Sequence, residues 1–421
     1  MREDRPAVLI GPLSTIWLKE LASCWRSRGI PTVAVTYRIW NGTRSLPDGT
    51  PVLSSFEYES NWNRRQSSAL NFTLRQIERV AHAVEKKRYS RVMVPAGRDD
   101  YISLAEPIVF GISISRLVRS LKPRFVYGHD ASISGLATAL CRGFPRILQP
   151  WGGDIHEHAD SSSLINAIVK YSLRHVDLVC PGSITAARYV VDHFGVSPNR
   201  VHAVPWGVDR RMFYRADDEK RRTVCARYGI DPTAMIFMNV RRFRPHWGSD
   251  IVLNAFIRFA GERAKSHFVL LGGANSEPYV LEARKRLVGT PLEKRFTFFD
   301  GEIPLTDCAE LMSVADVFTS VVRKNDIGSW AVLQAAAAGS APIMSDHGEY
   351  REMVNLGFRT LFVDINDEDT IIAAMRTYAE DANLRRSTAG CNQQYISRYE
   401  DYERQMTKLL ELIDQASHRT L

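Results

Sequence analysis

Paired cysteines are the first feature that this 421-residue sequence lacks. The six cysteines, at positions 24, 141, 180, 225, 308 and 391, are scattered and form no C-x-x-C pair. This spacing excludes the common cysteine-based zinc sites. We therefore expect reduced, mostly buried thiols and no metal site.

Long apolar runs are also missing, because none reaches the length of a bilayer span. The first residues, MREDRPAVLIGPLSTIWLKELASC, carry mixed charges, and Lys19 and Glu20 interrupt the apolar stretch, which is atypical of a signal peptide. With 45% hydrophobic and 24% charged residues, the composition is that of an ordinary soluble globular protein. We therefore predict a cytoplasmic location.

Complete glycine-rich motifs are absent as well. The loops IGPLSTIW and LLGGANSE fall short of G-x-G-x-x-G, and the sequence has neither a Walker A motif nor a G-x-S-x-G elbow. These absences disfavour a nicotinamide dehydrogenase, which stays only as an alternative.

Positive charge is present but unevenly distributed. Residues 1–212 hold 28 Lys and Arg against 18 Asp and Glu, whereas the remaining residues hold 27 against 29. A basic half is typical of proteins that bind an anionic partner, such as nucleic acid, a membrane surface or a phosphorylated substrate. A solvated surface without a partner explains the charge equally well.

Two similar halves follow from the apolar pattern. The stretch PAVLIGPLSTIWLKELASCWRSRGIPTVAVTYR combines an apolar run, a glycine turn, a helix with an apolar stripe and a second apolar run. The pattern restarts near residue 235 in AMIFMNVRRFRPHWGSDIVLNAFIRFAGERAKSHFVLLGG. Because such β-α-β units make parallel sheets, we predict an α/β protein with two Rossmann-like domains.

We place the first domain at residues 1–212 and the second at 213–394, and we expect a helix over 395–421 to pack back on the first. Predicted strands of the first sheet are RFVYGHD, RILQPWGGD, LVCPGS and RVHAVPWGVD, and those of the second are FTFFDGEI, VFTSVV, APIMSD and TLFVD. Residues 41–70 are predicted as loop. The stretch YISRYEDYERQMTKLLELIDQA is predicted as one long amphipathic helix.

Ligands of open parallel sheets bind beyond the C-terminal ends of the strands, so the following loops are candidate sites. The loop VRRFRPHWG places Arg241, Arg242 and Arg244 beside His246, and arginine forks suit a diphosphate. We favour this function over a merely solvated loop.

A second candidate loop opens the stretch DIGSWAVLQAAAAGSAPIMSD. Gly328 and Ser329 precede a helix whose first N–H groups suit a phosphate. Asp326 is better placed to accept hydroxyl hydrogens from a sugar, and the Gln334 amide could bond a ribose. A serine-capped helix packed on the sheet is the simpler interpretation of this stretch taken alone.

In the first half, the loops YGHDASISG and PWGGDIHEHAD follow predicted strands. They contain His129, Asp154, His156, Glu157 and His158. The HEH sequence lacks the H-E-x-x-H spacing that places two histidines on one helix face, so a zinc site is disfavoured. We predict instead that Asp154 and His156 recognise an acceptor.

Taken together, these motifs resemble glycosyltransferase family 4, whose GT-B fold has two facing Rossmann-like domains with an interdomain cleft. The similarity runs from about residue 7 to about residue 410 and rests on the order and spacing of several segments. They are PWGGD, VPWGVDRRMF, VRRFRPHWGSDIVLNAF, ADVFTSVV, DIGSWAVLQAAAAGSAPIMSD and HGEYREMVNLGFRTLFVDINDEDTIIAAM. The arginine loop is similar to a subgroup with an aromatic residue in place of the usual donor-site lysine.

The resemblance implies roles for single positions. Arg242 matches the arginine that contacts the donor diphosphate, with help from Arg244 or Lys324, and Trp247 stands where a lysine is usual. Asp326 and Gln334 match two glutamates that hold the transferred sugar and the nucleotide ribose. The other implied donor-site residues are Gly11, His129, Ile327, Gly328 and Ser329, and those implied in catalysis are Arg242, Asp326 and His129.

The resemblance further implies retaining transfer of a hexosyl group from a nucleotide-sugar to an acceptor hydroxyl, without a metal or a cofactor. The implied partners are the nucleotide-sugar donor and a sugar or lipid-linked acceptor, not nucleic acid, in glycan, glycolipid or glycoconjugate biosynthesis. Because the lysine and both glutamates are replaced, a non-catalytic relative that binds a sugar nucleotide or assists a partner enzyme stays open. So does a GT-B epimerase or inverting transferase.

The basic stretch RQIERVAHAVEKKRYSR, residues 75–91, has two interpretations. One is peripheral docking to an anionic membrane, at the inner face, that carries a lipid-linked acceptor. The other is a surface helix packed on its own sheet with solvated charges, because its apolar side is narrow for an interfacial helix.

Overall fold

The structure of the protein is a computed structural model. It describes residues 5–11, 16–36, 45–54, 106–241, 243, 247–272, 277–299, 301, 303–323, 330–346 and 348–419. The basic stretch 75–91 lies outside these residues. The chain divides into two compact units, Met1–Val204 with Thr407–Leu421, and Pro205–Met406. The division falls a few residues before the predicted boundary at residue 212, and the C-terminal segment that belongs to the first unit begins at Thr407 rather than at residue 395.

The first unit is built on a six-stranded parallel sheet with the order β3-β2-β1-β4-β5-β6. Its strands are β1 (Ala7–Ile10), β2 (Thr32–Thr36), β3 (Val52–Ser54), β4 (Phe125–His129), β5 (Arg146–Gln149) and β6 (Leu178–Val179). Its helices are α1 (Ile16–Ser27), α2 (Glu106–Ser120), α3 (Ile133–Leu140), α4 (Ala159–Ser161), α5 (Ser163–Arg174) and α6 (Ile184–Phe194), with a π-helical turn at Asp154–His158. A fully buried Trp25 packs edge-on against Phe125 and Tyr127 beneath this sheet.

The second unit repeats the design with the order β12-β11-β10-β7-β8-β9, again all parallel. Its strands are β7 (Met235–Val240), β8 (Ser266–Leu271), β9 (Phe296–Phe299), β10 (Val317–Ser320), β11 (Ala341–Ser345) and β12 (Leu361–Val363). Its helices are α7 (Asp218–Arg227), α8 (Ser249–Glu262), α9 (Glu277–Leu287), α10 (Leu305–Val314), α11 (Trp330–Ala337), α12 (Gly348–Asn355), α13 (Glu368–Glu380) and α14 (Ala382–Tyr399). The last helix, α15 (Tyr402–Arg419), spans the division at Met406.

The burial of the central strands agrees with the parallel arrangement of both sheets. Every residue of β1 and of β8 is buried, as expected for strands covered by helices on both faces. Phenylalanine rings fill one face of the second sheet, where Phe237 and Phe268 stack with ring centroids 5.4 Å apart. The predicted pair of Rossmann-like sheets is thus confirmed.

Each sheet has one topological switch point. In the first unit, β1 and β4 are neighbours, but the strands that follow them, β2 and β5, lie on opposite sides. In the second unit, β7 and β10 are related in the same way. In doubly wound sheets, the loops after two such strands leave in opposite directions, and ligands bind in the crevice at the C-terminal ends of these strands.

The prediction of one long C-terminal helix is wrong, because the chain forms two helices that are separated at Glu400 and Asp401. Val208 explains the break. Its N–H donates to the Glu400 carbonyl at 2.6 Å, and its carbonyl accepts from the Tyr402 N–H at 3.3 Å. The Asp401 side chain accepts from the Arg404 N–H at 3.1 Å, which caps the start of α15.

Two other sequence predictions need correction. The stretch RVHAVPWGVD, predicted as a strand, forms only isolated bridges, one of them between Val201 and Val179. Pro205 has no N–H to donate, and Gly207 has a φ of +75°, so this segment does not continue a ladder. The loop predicted over 41–70 contains β3, whose three residues are too few to show a periodic pattern.

We predict that Gly248, directly before α8, is required for stability. Its φ is +64°, and a Cβ on it would lie 2.0 Å from the Val321 carbonyl oxygen. Gly248→Ala should therefore lower the free energy of unfolding by about 3 kcal/mol, measured by urea denaturation. Gly261→Ala is the matched control in the same helix, because an added Cβ there meets nothing within 4 Å. Equal midpoints for the two variants would contradict this close approach.

Candidate functional site at the switch points

Gly11 and His129 meet at the switch point of the first unit. A Cβ on Gly11 would lie 3.2 Å from the His129 Cβ and 2.8 Å from the Leu18 Cδ1. Only glycine therefore lets the loop after β1 pass this close to the end of β4. The structure thus brings together two of the residues predicted for the donor site.

His129 is buried, with 1% of its surface exposed. Burial lowers the pKa of His129 to about 3, so its imidazole is neutral near pH 7. The ring meets Trp151 edge-on, with centroids 4.6 Å apart, and Trp151 is 37% exposed. A neutral imidazole can bond the hydroxyl groups of a sugar but supplies no charge to a phosphate.

Asp154 joins the two loops that follow β4 and β5. One carboxylate oxygen accepts from the Ala131 N–H at 2.6 Å. The other accepts from the N–H groups of Trp151, Gly152 and Ile155 at 2.9, 2.8 and 3.0 Å. Asp154 therefore holds both loops in place, whereas its predicted contact with an acceptor stays a prediction.

A second carboxylate, Asp130, lies beside Asp154. Asp130 has a φ of +93° and accepts hydrogen bonds from the Ser132 N–H and from the hydroxyls of Ser132 and Ser134, at 2.6 to 2.7 Å. Burial and then the charge of Asp130 raise the pKa of Asp154 to about 6, although the backbone donors act in the opposite direction. The buried Asp154 and the half-buried Asp130 thus share this edge of the sheet.

His156, also predicted to recognise the acceptor, lies in the π-helical turn that follows Asp154. Its half-buried ring packs on Tyr189 of α6 with centroids 4.0 Å apart. The Glu157 and His158 side chains lie outside the described part of the structure. Among the described residues, no group of three or more His, Cys, Asp or Glu residues could hold a metal ion.

In the second unit, Arg241 spans the switch point. It follows the last residue of β7, and its Nη2 donates to the Ser320 Oγ, at the end of β10, at 3.2 Å. Ser320 in turn lies 3.3 Å from the Tyr350 hydroxyl, in a hydrogen bond that either group can donate. This series of hydrogen bonds places the guanidinium of Arg241 at the position where doubly wound sheets bind their ligands.

Trp247 packs against this arginine. The guanidinium carbon of Arg241 lies 5.2 Å from the centroid of the Trp247 ring, within the range of a cation–π interaction. Gly248 then brings the start of α8 onto the Val321 carbonyl, which fixes the segment that carries Trp247. Trp247 is therefore half-buried and in contact with a positive charge.

Gln334 lies in α11, the alanine-rich helix that sequence analysis predicted before the strand APIMSD. It is 3% exposed, and its Nε2 has no hydrogen-bond partner among the described residues. A buried amide that lacks a partner is unfavourable unless a ligand or water supplies one. The remaining predicted donor-site residues, Arg242, Arg244, Asp326, Ile327, Gly328 and Ser329, lie outside the described residues.

The sequence predicts Arg241 only as one of three arginines that suit a diphosphate, and it does not single out Ser320 or Tyr350. A signal for Ser320 was present, because the predicted strand VFTSVV places a polar pair inside an apolar run. Nothing in the sequence pointed to Tyr350, because its contact with Ser320 joins residues from two different elements.

Comparisons with solved structures agree with the fold of two doubly wound parallel sheets. The sucrose-phosphate synthase of Thermosynechococcus elongatus is superimposable with a TM-score of 0.73 at 14% sequence identity, over 98% of each chain. The structure of Anabaena HepE in complex with UDP and glucose has a TM-score of 0.69 at 13% identity, over 98% of this chain and 100% of the other. The chain therefore has the GT-B fold of glycosyltransferases.

Sequence comparisons define the family. The model for "Glycosyl transferase 4-like domain" matches residues 17–207, and the model for "Glycosyl transferases group 1" matches residues 221–391. This chain belongs to the family 4 glycosyltransferases of GT-B fold. The predicted family and fold are thus confirmed.

Curated relatives match only in part. The mannosylfructose-phosphate synthase of Agrobacterium fabrum is 24% identical over 211 residues, which are 49% of this chain and 46% of that protein. The D-inositol 3-phosphate glycosyltransferase of Acidothermus cellulolyticus is 26% identical over 196 residues, 45% and 43% of the two chains. The matched region thus spans about half the length of these relatives.

We predict that Asp154→Ala destabilises the protein by about 3 kcal/mol, because four N–H groups, three of them in buried hydrogen bonds, lose their acceptor. Urea denaturation measures the change. Asp192→Ala is the matched control, since Asp192 is exposed on α6 of the same unit. If both variants unfold at the same urea concentration, Asp154 does not hold the two loops.

Proposed function

We propose that the protein transfers a sugar from a nucleotide-sugar donor to an acceptor hydroxyl with retention of anomeric configuration. The observation that carries this proposal is the arginine at the switch point of the second unit, where a nucleotide diphosphate would need positive charge. Family membership supports it, and so do the fold neighbours from Anabaena, whose structures contain UDP or UDP-glucose.

The proposed chemistry needs no metal and no cofactor. The bond between the anomeric carbon and the diphosphate oxygen breaks, the acceptor oxygen bonds to that carbon on the same face, and its proton passes to the leaving diphosphate. The protein's part is to position both substrates and to stabilise the negative charge that develops on the diphosphate. In this proposal Arg242, with help from Arg244 or Lys324, adds to the positive charge of Arg241, and Asp326 holds the sugar hydroxyls.

The first unit would bind the acceptor and the outer part of the donor sugar. His129 is suited to the donor sugar, because a neutral buried imidazole can both donate to and accept from hydroxyl groups. Asp154 and His156 are proposed on the acceptor side. A sugar or a lipid-linked acceptor both fit the family, and contact of residues 75–91 with an anionic membrane stays a prediction. Among the described residues, no helix has the length and apolar character to cross a membrane.

The test of this function begins with thermal unfolding in a panel of UDP-, GDP- and ADP-sugars, with NAD as the negative control. A ligand at a hundred times its dissociation constant should stabilise the protein by about 2.7 kcal/mol. Donor turnover is then measured for wild type and for Asp326→Ala, which we expect to retain nucleotide binding and to lose nearly all transfer. NMR of the product's anomeric proton tests retention.

Each outcome of this series has a meaning. No stabilisation by any sugar nucleotide would contradict the proposal, and stabilisation by NAD would favour the nicotinamide alternative. Binding without transfer or hydrolysis would favour a non-catalytic relative. An inverted product would contradict retention alone.

Gln334 allows a separate prediction about the ribose. Gln334→Ala should weaken nucleoside diphosphate binding about tenfold, because one buried hydrogen bond is lost. Gln334→Glu should bind more tightly than Gln334→Ala, since a carboxylate restores an acceptor. Calorimetry measures both, with Gln393→Ala as the matched control, because the Gln393 amide contacts the other end of α11 at the Ala337 carbonyl. Unchanged affinity in Gln334→Ala would exclude the ribose contact.

A further inference from the structure

We propose that Arg241, held against Trp247, supplies the positive charge that the family lysine would otherwise provide to the donor diphosphate. This inference rests on the proposed function and adds a specific residue to it. By family resemblance alone, Trp247 in place of the lysine means that one positive charge is missing from the donor site. The contact between Trp247 and Arg241 means that the positive charge of the lysine is replaced by that of Arg241.

Position is the first argument. Arg241 directly follows β7, and its backbone N–H donates to the Leu271 carbonyl of β8 at 3.0 Å, so its backbone is fixed by the sheet. Its side chain reaches across to Ser320 at the end of β10. The guanidinium therefore lies between the C-terminal ends of the two strands at which the sheet order reverses, where such sheets bind phosphorylated ligands.

Orientation is the second argument. The contact with Trp247 and the hydrogen bond to Ser320 restrict the guanidinium from two sides. A planar guanidinium can keep one face on an aromatic ring and bind phosphate oxygens through its edge, which an ammonium cannot do. An arginine held in this way loses little conformational entropy when it binds a phosphate.

A purely structural role for Arg241 is the competing explanation, because the Ser320 bond also ties β7 to β10. The two explanations predict different changes in the affinity for two ligands, a nucleoside diphosphate and the corresponding nucleoside. If Arg241 contacts phosphate, its loss weakens binding of a nucleoside diphosphate and leaves binding of the corresponding nucleoside unchanged. If it only stabilises the sheet edge, both ligands weaken together or neither changes.

The experiment uses the full chain and calorimetry with UDP, GDP or ADP, whichever wild type binds best, and with the matching nucleoside. Arg241→Met should raise the dissociation constant of the diphosphate about 10- to 100-fold and that of the nucleoside less than twofold. Trp247→Lys in the Arg241→Met background should restore at least tenfold of the lost affinity. Arg284→Met is the matched control, because Arg284 lies 5.6 Å from the Phe298 ring centroid in the same unit.

The inference is overturned if Arg241→Met binds the diphosphate within twofold of wild type, if both ligands weaken equally, or if Trp247→Lys restores nothing. Should Arg241→Met fail to fold, Arg241→Lys keeps the charge without the planar fork, and a selective loss of diphosphate affinity is again expected. Failure of wild type to bind any nucleoside diphosphate would instead contradict the proposed function.

Discussion

The reversal of strand order within each sheet is the constraint on which the rest of the site depends. A parallel sheet built outward in both directions from β1 and β4, or from β7 and β10, must separate the loops that follow the two central strands. That separation places the C-terminal ends of the two central strands at the switch point of each sheet. Gly11 and His129 occupy one such position, and Arg241 and Ser320 occupy the other.

The same constraint requires that backbone segments near each switch point approach one another closely. Gly11 lets the first loop pass against His129, and Gly248 lets the start of α8 lie on the carbonyl of Val321. In both places a Cβ would push apart the segments that carry the functional side chains. Asp154 serves a related purpose with its carboxylate, because it collects four N–H groups from two loops. Small residues and one buried acid thus keep the first and second switch points compact.

The sequence pattern predicted both parallel sheets because buried strands are continuous apolar runs, and this signal is local. Most predicted strands, and the helix-to-strand turn at Gly339, follow from it. The break at Glu400 was not predictable in the same way. An amphipathic period continues through this residue, and only pairing with Val208, distant in sequence, interrupts the helix.

The sequence predicted those parts of the candidate site that lie in a loop directly after a strand. His129 and the arginine loop were found because polar residues come directly after apolar runs. The part of the site that escaped sequence reasoning consists of contacts between different elements. Neither the contact of Arg241 with Trp247 nor its hydrogen bond to Ser320 leaves a periodic signal, and the four backbone N–H groups that donate to Asp154 leave none either.

Charge at the two switch points runs opposite to the net charge of the two halves. Residues 1–212 carry 28 basic against 18 acidic side chains, yet their switch point holds a neutral His129 near the half-buried carboxylate of Asp130 and the buried carboxylate of Asp154. The remainder carries 27 against 29, yet it places Arg241 at the end of a central strand. Short-range interactions with a desolvated group exceed the field of distant, screened surface charges. We therefore expect Arg241 at the strand end to attract a phosphate more strongly than the net charge of either half does, whereas the excess positive charge of the first half acts on molecules that approach its surface from solution.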